Sequence, residues 1–197
     1  FGGLPYGSRP AQEVTPRGSV DAMNARTQSL WNVLSGRAAP LFVIVACALA
    51  YANALAGPVV FDDLPAIVEN ELLPPTTFTE WFTAPAGSTA SGRPLVAFSF
   101  ALNHALFGEA VTGWHATNLL LHALCALVLL GLTRETLTRT GHEHPGPVAF
   151  AVALLWSLHP LLTDAVNLVA SRSELLVSLA YLLVLYCLSK AASAKSP

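Results

Sequence analysis

The fold of this chain is decided by residues 39–63, APLFVIVACALAYANALAGPVVFDD, in which a long apolar run ends at Gly57-Pro58 and two adjacent carboxylates follow. The apolar part, 39–56, contains no charged residue and is about as long as a helix needs to cross the roughly 30 Å hydrocarbon layer of a bilayer. It therefore predicts a membrane span. Because unpaired carboxylates are costly in hydrocarbon, we expect Asp62 and Asp63 to lie just beyond this span, at the depth of the lipid headgroups.

The composition places the whole chain among integral membrane proteins. Of its 197 residues, 53% are hydrophobic and only 11% are charged, and the mean hydropathy is +0.54. Soluble domains carry about 25% charged residues. The net charge of -2, without a basic cluster, argues against a nucleic-acid partner. The three cysteines, Cys47, Cys125 and Cys187, lie in separate apolar segments without metal-ligand spacing, so we expect them to be core residues and predict no metal site.

The apolar segments predict an all-α membrane protein with about four transmembrane helices. The spans are about 39–56, 114–133, 147–158 and 175–188, and the first outer loop, 57–113, is long. His159-Pro160 interrupts the third span, so we expect residues 160–170 to form a short helix at the interface. The stretch 95–107 is too short to span and is predicted to be a helix that either lies at the interface or packs beneath the outer loop.

The remaining segments complete the predicted organisation. Residues 1–36 are rich in Gly, Pro, Ser and Arg, which predicts a flexible cytoplasmic tail; residues 37–190 form the transmembrane part, and 191–197 form a second tail. Because the chain begins with Phe1 and stops shortly after an apolar segment, we expect it to be part of a longer protein.

The distribution of Lys and Arg predicts the orientation. With the first span leaving the cytoplasm, eight basic residues are inside and only Arg93 and Arg172 are outside, which satisfies the positive-inside rule. The inside residues are Arg9, Arg17, Arg26, Arg37, Arg134, Arg139, Lys190 and Lys195. The first outer loop and the turn between spans three and four then lie at the same membrane surface.

These two outer segments carry the candidate site residues. The first contributes Asp62, Asp63 and Arg93, and the second contributes His159, Asp164, Arg172 and Glu174. Arg suits a lipid-linked phosphate, since the planar guanidinium can bind two phosphate oxygens and keeps its charge. A carboxylate within about 3 Å of an acceptor hydroxyl can take its proton during transfer. We therefore take Asp62 and Asp63 as candidate catalytic residues and the other five as candidate substrate-binding residues.

Each of these residues also has a structural interpretation. Asp63 can cap a helix beginning at Leu64, Glu174 can form a capping box with Ser171, and Arg172 can extend from a helix end toward water. Arg93 can pair with a loop carboxylate, and His159 can cap the turn at Pro160. His115, Asn118 and His122 share one helical face and are predicted to form hydrogen bonds between helices.

Four motifs in order resemble a known family. They are FDD (61–63), RPL (93–95), HATNLLLHALCALVLL (115–130), and HPLLTDAV (159–166) followed by SRSELL (171–176). This order resembles the transmembrane O-mannosyltransferases that carry tetratricopeptide repeats, and their bacterial relatives. The similarity covers about residues 51–188.

The resemblance implies the N-terminal part of a membrane glycosyltransferase of the C fold, with juxtamembrane helices in its first outer loop. It implies a polyprenyl-phosphate sugar as donor, with mannose transferred to Ser or Thr hydroxyls of a protein acceptor. It further implies an inverting mechanism and an extracytoplasmic active face, in the endoplasmic reticulum or a bacterial inner membrane. Membrane lipid is the other expected partner, no separate cofactor is implied, and a divalent metal requirement is left open.

Two other classes remain open. A non-catalytic, membrane-anchored interaction subunit predicts that Asp62 and Asp63 face solvent or cap helices. Half of a transporter predicts a polar cavity at mid-membrane beside His115, Asn118 and His122. A transferase instead predicts that Asp62, Asp63 and Arg172 line one cavity that opens to the outer leaflet.

Overall fold

The computed structural model describes residues 35–194, together with Ser29 and Trp31. These residues are helical or lie in turns and loops, and none of them lies in a strand, which confirms the predicted all-α class. The predicted tail 1–36 lies mostly outside the described residues. The second predicted tail begins later than expected, because helix continues through residues 191–194.

Six α-helices follow one another in the described part of the chain. They are α1 (Ala39–Ala50), α2 (Pro94–Phe107), α3 (Val111–Arg139), α4 (Pro145–Ser157), α5 (Thr163–Asn167) and α6 (Arg172–Ala194). Single helical turns lie between them, at Ala52–Ala56, Leu64–Val68, Glu80–Phe82, Pro160–Leu162 and Val169–Ser171. Helices α1, α2 and α4 each have a proline in the first turn, where the missing N–H is not needed for the helix.

The helices differ in their capacity to cross a bilayer. Among the described residues, α3 and the segment Val169–Ala192 are long and apolar enough to span. Helix α4 qualifies only when it is combined with residues 160–167 across a bend of 54°. At about 1.5 Å per residue, the 12 residues of α1 rise only about 18 Å, because the α-helix gives way to a tighter turn at Ala52–Ala56. By length and composition, the described residues thus contain two or three helices able to span, where the sequence predicted about four.

Helical structure is present at both places where the sequence predicted a short helix. Residues 94–107 form α2. After α4, residues 160–171 form three short helical segments, as expected from the interruption at His159-Pro160. His159 caps the first of them, its Nδ1 accepting a hydrogen bond from the Leu161 N–H at 3.2 Å.

Helix α3 is the central element, with α1, α4 and α6 packed against it. One buried cluster joins α1, α3 and α4, and its members are mostly small: Ala39, Val43, Cys47, Ala123, Ala126, Leu130, Ala149, Phe150 and Ala153. Small side chains let helices approach closely, which is how helices associate in a membrane. Cys47 and Cys125 are buried as predicted, whereas Cys187 is exposed, so its assignment to the core was wrong.

A second cluster lies at the end of the molecule where α3 and α6 begin. It includes Ala66, Val96, Phe100, Trp114 and Val169. The connection from α2 to α3 requires glycine at position 113, since a Cβ there would lie 2.5 Å from the Phe107 side chain. This cluster supports the loop and turns that carry the candidate site residues.

Candidate functional site

Arg172 is the first residue of α6 and is completely buried. Its guanidinium donates four hydrogen bonds to oxygens of α2 and α3. Nε donates to Asn118 Oδ1 at 2.8 Å, Nη2 to Asn103 Oδ1 at 2.8 Å and to the Trp114 carbonyl at 3.1 Å, and Nη1 to the Ser99 carbonyl at 3.2 Å. An Arg side chain has five N–H donors, so most of its capacity is used within the protein.

Two aromatic rings complete the surroundings of this charge. The guanidinium carbon lies 4.9 Å from the Phe100 ring centre and 5.6 Å from that of Trp114, distances at which a cation is attracted to an aromatic face. We call Arg172 with Ser99, Phe100, Asn103, Trp114 and Asn118 the Arg172 cluster. The cluster joins three helices, and the prediction that Arg172 extends toward water is wrong.

The polar stripe on α3 takes part in this network. Asn118 accepts from Arg172 and donates through Nδ2 to the Leu168 carbonyl at 2.9 Å. His122 Nε2 lies 2.9 Å from the Ser157 carbonyl, and its ring stacks on Trp156. The predicted role in bonding between helices is confirmed for these two residues. His115, the third member, forms no such bond.

Asp63 connects the two outer segments. Its side chain is completely buried, and Oδ1 accepts a hydrogen bond of 2.7 Å from the Ala170 N–H, 107 residues along the chain. The other oxygen accepts from the Val60 N–H at 3.4 Å. Asp63 makes no side-chain cap to the turn Leu64–Val68, so the capping interpretation is wrong. The first outer loop is therefore held against the turn that precedes α6.

Burial raises the pKa of the Asp63 carboxyl, although its backbone hydrogen bonds and nearby His115 oppose the shift. Between the pKa of the unfolded chain, about 3.9, and the raised pKa, the folded state binds more protons than the unfolded state. We expect the free energy of unfolding to fall as the pH rises through that interval. Urea unfolding in detergent at a series of pH values will show this fall, and Asp63→Asn will remove it.

Urea unfolding of Asp63 variants also tests the hydrogen bond between Asp63 and the Ala170 N–H. Asp63→Ala leaves the Ala170 N–H buried without its acceptor and is expected to cost about 1–3 kcal/mol. Asp63→Asn keeps an acceptor oxygen and is expected to cost less. Glu69→Ala, which removes an exposed carboxylate from the same loop, serves as the control. Equal stability of Asp63→Ala and Glu69→Ala would contradict the assigned role.

Asp62 differs from its neighbour because it is exposed. It follows Phe61, whose ring is 80% exposed and whose backbone φ of +49° is unusual for a bulky residue. The turn that includes Phe61 is closed by hydrogen bonds from Asp63 N to the Val60 carbonyl and from Leu64 N to the Phe61 carbonyl. Of the two predicted catalytic carboxylates, the structure leaves only Asp62 open to a substrate.

Arg93 and Glu174 lie together in a groove between the beginnings of α2 and α6. Its volume is about 540 Å³, and its apolar wall contains Leu95, Val96, Leu176, Val177 and Ala180. Arg93 is exposed, and its Nη1 donates to Ser173 Oγ at 2.9 Å and to the Thr89 carbonyl at 3.1 Å rather than to a loop carboxylate. We call this cavity the Arg93 groove.

Asp164 lies in a different cavity of about 500 Å³, between the turn after α1 and the start of α3. Its wall also contains Asn53, Phe61, His115 and Asn167, and we call it the His115 pocket. Neither this pocket nor the Arg93 groove has Asp62, Asp63 or Arg172 in its wall. The expectation that these three residues line one cavity is therefore not met in either of them, because Asp63 and Arg172 are buried by hydrogen bonds within the fold. The seven predicted site residues therefore lie in different places. Asp63 and Arg172 are each buried, Arg93 and Glu174 line the groove, and Asp164 lines the pocket. Asp62 and His159 are exposed outside both cavities.

The sequence interpretation did not single out Asn103, Phe61 or Asn167. Asn103 had a detectable signal, because a polar side chain within an apolar helix requires a partner. Phe61 had none, since its backbone conformation depends on the packing of Asp63.

Comparison of the sequence with known proteins identifies relatives that share one name. The mouse protein O-mannosyl-transferase TMTC1 is 36% identical over 156 residues, which is 74% of this chain and 16% of the mouse protein. Mouse TMTC2 is 36% identical over 155 residues, covering 74% of this chain and 18% of its own length. Over this segment the chain is a relative of the protein O-mannosyl-transferases. The predicted resemblance is confirmed.

More distant members of the same family match as well. Protein O-mannosyl-transferase Tmtc3 of Drosophila melanogaster is 31% identical over 165 residues, 72% of this chain and 18% of the fly protein. The chain thus spans less than a fifth of the length of the curated relatives described here. No family model matches the chain, and no solved structure matches it. The apolar helices and these relatives together identify a membrane protein.

Proposed function

We propose that this chain is part of a multi-pass membrane glycosyltransferase that transfers mannose from a polyprenyl-phosphate to Ser or Thr hydroxyls of proteins. Its active face is extracytoplasmic, in the endoplasmic reticulum or a bacterial inner membrane. The observation that carries the proposal is the Arg93 groove, which combines an exposed guanidinium with an apolar wall. A lipid with a phosphate headgroup requires both features in that arrangement.

The groove has its polar residues at one end and its apolar residues along the helix, the arrangement expected for binding a membrane lipid. Arg93, Ser173 and Glu174 lie where α2 and α6 begin, and Val177 and Ala180 follow along α6. At about 1.5 Å per residue, Ala180 lies roughly 10 Å further along the helix than Ser173. Val177 is 69% exposed and Leu95 is 75% exposed, so both present apolar surface to a polyprenyl tail.

The polar end of the groove supplies contacts for the headgroup. One Arg93 nitrogen is oriented by Ser173, and the rest of the exposed guanidinium can bind phosphate oxygens as a fork. Glu174, also exposed, can accept hydrogen bonds from sugar hydroxyls.

Residues 170–173 connect the headgroup position with the proposed base. Ala170 is bonded to Asp63, next to Asp62, and Ser173 is bonded to Arg93. Asp63, the neighbour of Asp62, and Arg93 therefore contact the two ends of the same four-residue segment. In the proposed inverting displacement, Asp62 takes the proton of the acceptor hydroxyl as its oxygen attacks the anomeric carbon, and the lipid phosphate leaves toward Arg93. Asp63 and Arg172 hold the two segments in position.

The groove is tested by lipid binding. Arg93→Ala removes a charge-assisted contact and is expected to weaken binding of a short-chain polyprenyl phosphate by roughly 10- to 100-fold. Native mass spectrometry of the protein in nanodiscs measures this binding. Arg139→Ala, which removes an exposed arginine at the other end of α3, is the control. If the wild-type protein binds polyprenyl phosphate no better than the uncharged polyprenol, the groove is not a phosphate site.

A non-catalytic, membrane-anchored subunit is the second candidate. It is favoured by the burial of Asp63 and Arg172, which act within the fold and line neither cavity. This candidate predicts that the chain binds no polyprenyl phosphate, so the same experiment separates the two functions.

A further inference from the structure

His115 is a buried histidine whose ring nitrogens form no hydrogen bond of normal geometry with the described residues, although the Gly57 backbone lies close enough to interact with the ring. Only 1% of the residue is exposed, and within the described residues neither Nδ1 nor Nε2 has a partner. The backbone of Gly57 is adjacent, and a Cβ at position 57 would lie 3.6 Å from Nε2. A neutral imidazole offers one donor and one acceptor, and leaving both unused in the interior is costly. His122 on the same helix, by contrast, has one ring nitrogen paired with the Ser157 carbonyl.

The ring of His115 lies in the wall of the His115 pocket beside other unused polar groups. Asn167 Oδ1 is buried without a partner, and Asp164 and Asn53 are exposed in the same wall. No Lys or Arg lines the pocket, so a phosphate is disfavoured there. His115 and Asp164 alone are too few for a metal site, and the described residues contain no group of three metal-ligating side chains. The polar groups therefore suit a neutral ligand with several hydroxyls.

Phe61 adds an aromatic face to this pocket. Its ring is 80% exposed although its backbone occupies the left-handed region, where a bulky residue is strained. Such strain is a marker of functional sites when the fold imposes it, and here the neighbouring Asp63 is fixed to Ala170. An aromatic face attracts the C–H edge of a sugar ring through its negative quadrupole.

We propose that the His115 pocket binds a neutral hexopyranose, with Phe61 against the C–H face of the ring and with His115, Asp164 and Asn167 bonded to its hydroxyls. The pocket volume of about 500 Å³ lies within the range of small-molecule sites. The pocket shares no lining residue with the Arg93 groove. The inference rests on the proposed function, since it names where a sugar of the donor or the acceptor binds, but the two cavities can be tested separately.

The first experiment titrates methyl α-mannoside into the full chain in nanodiscs. The readout is the ¹⁵N resonances of the His115 ring, which are assigned by their loss in His115→Phe. We expect a saturable shift with the mannoside and none with sorbitol, an acyclic polyol that has no ring face. An equal response to sorbitol would show a pocket that holds only solvent, and no response to the mannoside would also overturn the proposal.

A surface variant makes the test independent of changes in the core. Phe61→Ala removes the aromatic face and is expected to weaken mannoside binding by about tenfold. Phe78→Ala is the matched control, because Phe78 is 81% exposed in the same loop but lies outside the pocket. Unchanged affinity in Phe61→Ala would overturn the assignment of the aromatic face and with it the pyranose site.

The sugar could be carried by the donor or by the acceptor, and a second titration distinguishes these sources. A short-chain mannosyl-phosphoryl-polyprenol that shifts the His115 resonances places the donor sugar in the pocket. If this lipid binds without shifting them while the free mannoside does, the pocket serves a sugar of the acceptor. Arg93→Ala is expected to weaken lipid binding as described above and to leave the mannoside response unchanged, so failure of the groove and failure of the pocket are separate results.

Discussion

Replacing Arg172 by alanine is expected to lower the free energy of unfolding by about 3–5 kcal/mol. The substitution removes a buried cation and leaves four acceptor oxygens without their donor: Asn103 Oδ1, Asn118 Oδ1 and the carbonyls of Ser99 and Trp114. It also removes the contacts to the Phe100 and Trp114 rings. Because these groups lie on α2 and α3, the loss should loosen the packing of both helices against α6.

Arg172→Lys provides the informative comparison. A lysine keeps the charge but cannot reproduce the fork that reaches Asn103 and Asn118 together, so we expect most of the stability loss to remain. Arg139→Ala is the matched control, since Arg139 is exposed and donates to the Ser189 carbonyl at 3.1 Å; it should cost at most about 1 kcal/mol. Unfolding in mixed detergent, followed by tryptophan fluorescence, measures all three. A stable Arg172→Ala variant that loses phosphate binding would instead identify Arg172 as a ligand residue.

Asp62→Asn is expected to lower the rate of mannosyl transfer by about 100- to 10,000-fold, the range attributed to a positioned general base. Asn has nearly the same size as Asp but cannot accept the proton of the acceptor hydroxyl. Since Asp62 is exposed, the free energy of unfolding should stay unchanged. Transfer from polyprenyl-phosphate mannose to an acceptor peptide, measured in membranes that contain the protein, is the assay.

Two further variants make this result specific. Glu69→Gln neutralises another exposed carboxylate of the first outer loop and should leave transfer unchanged. Asp164→Asn, in the His115 pocket, should reduce transfer less than Asp62→Asn does. If Asp164→Asn abolishes transfer while Asp62→Asn remains active, the base is Asp164, and Asp62 is only a solvated neighbour of Asp63.

Local patterns along the chain predicted the class of the protein and the position of its principal segments. Apolar run lengths and proline positions identified α2, α3, α6 and the break at His159-Pro160, because these features depend on local chain geometry and on the thickness of the bilayer. The order of short motifs identified the family, which the relatives confirm. The sequence did not reveal that the helix of the first predicted span changes to a tighter turn at Ala52–Ala56, because this change leaves the hydrophobicity unchanged.

The roles of the charged residues depend on contacts that form when distant segments pack together. Asp62 and Asp63 are adjacent and chemically identical, yet one is exposed and the other is buried against Ala170, because that partner lies 107 residues away. Arg172 could have extended to a phosphate, but the oxygens of Asn103 and Asn118 surround it once α2 and α3 pack against α6. Long-range packing determines which carboxylate is accessible to solvent and which arginine has its N–H groups hydrogen-bonded within the protein. A pattern along the chain does not contain that information.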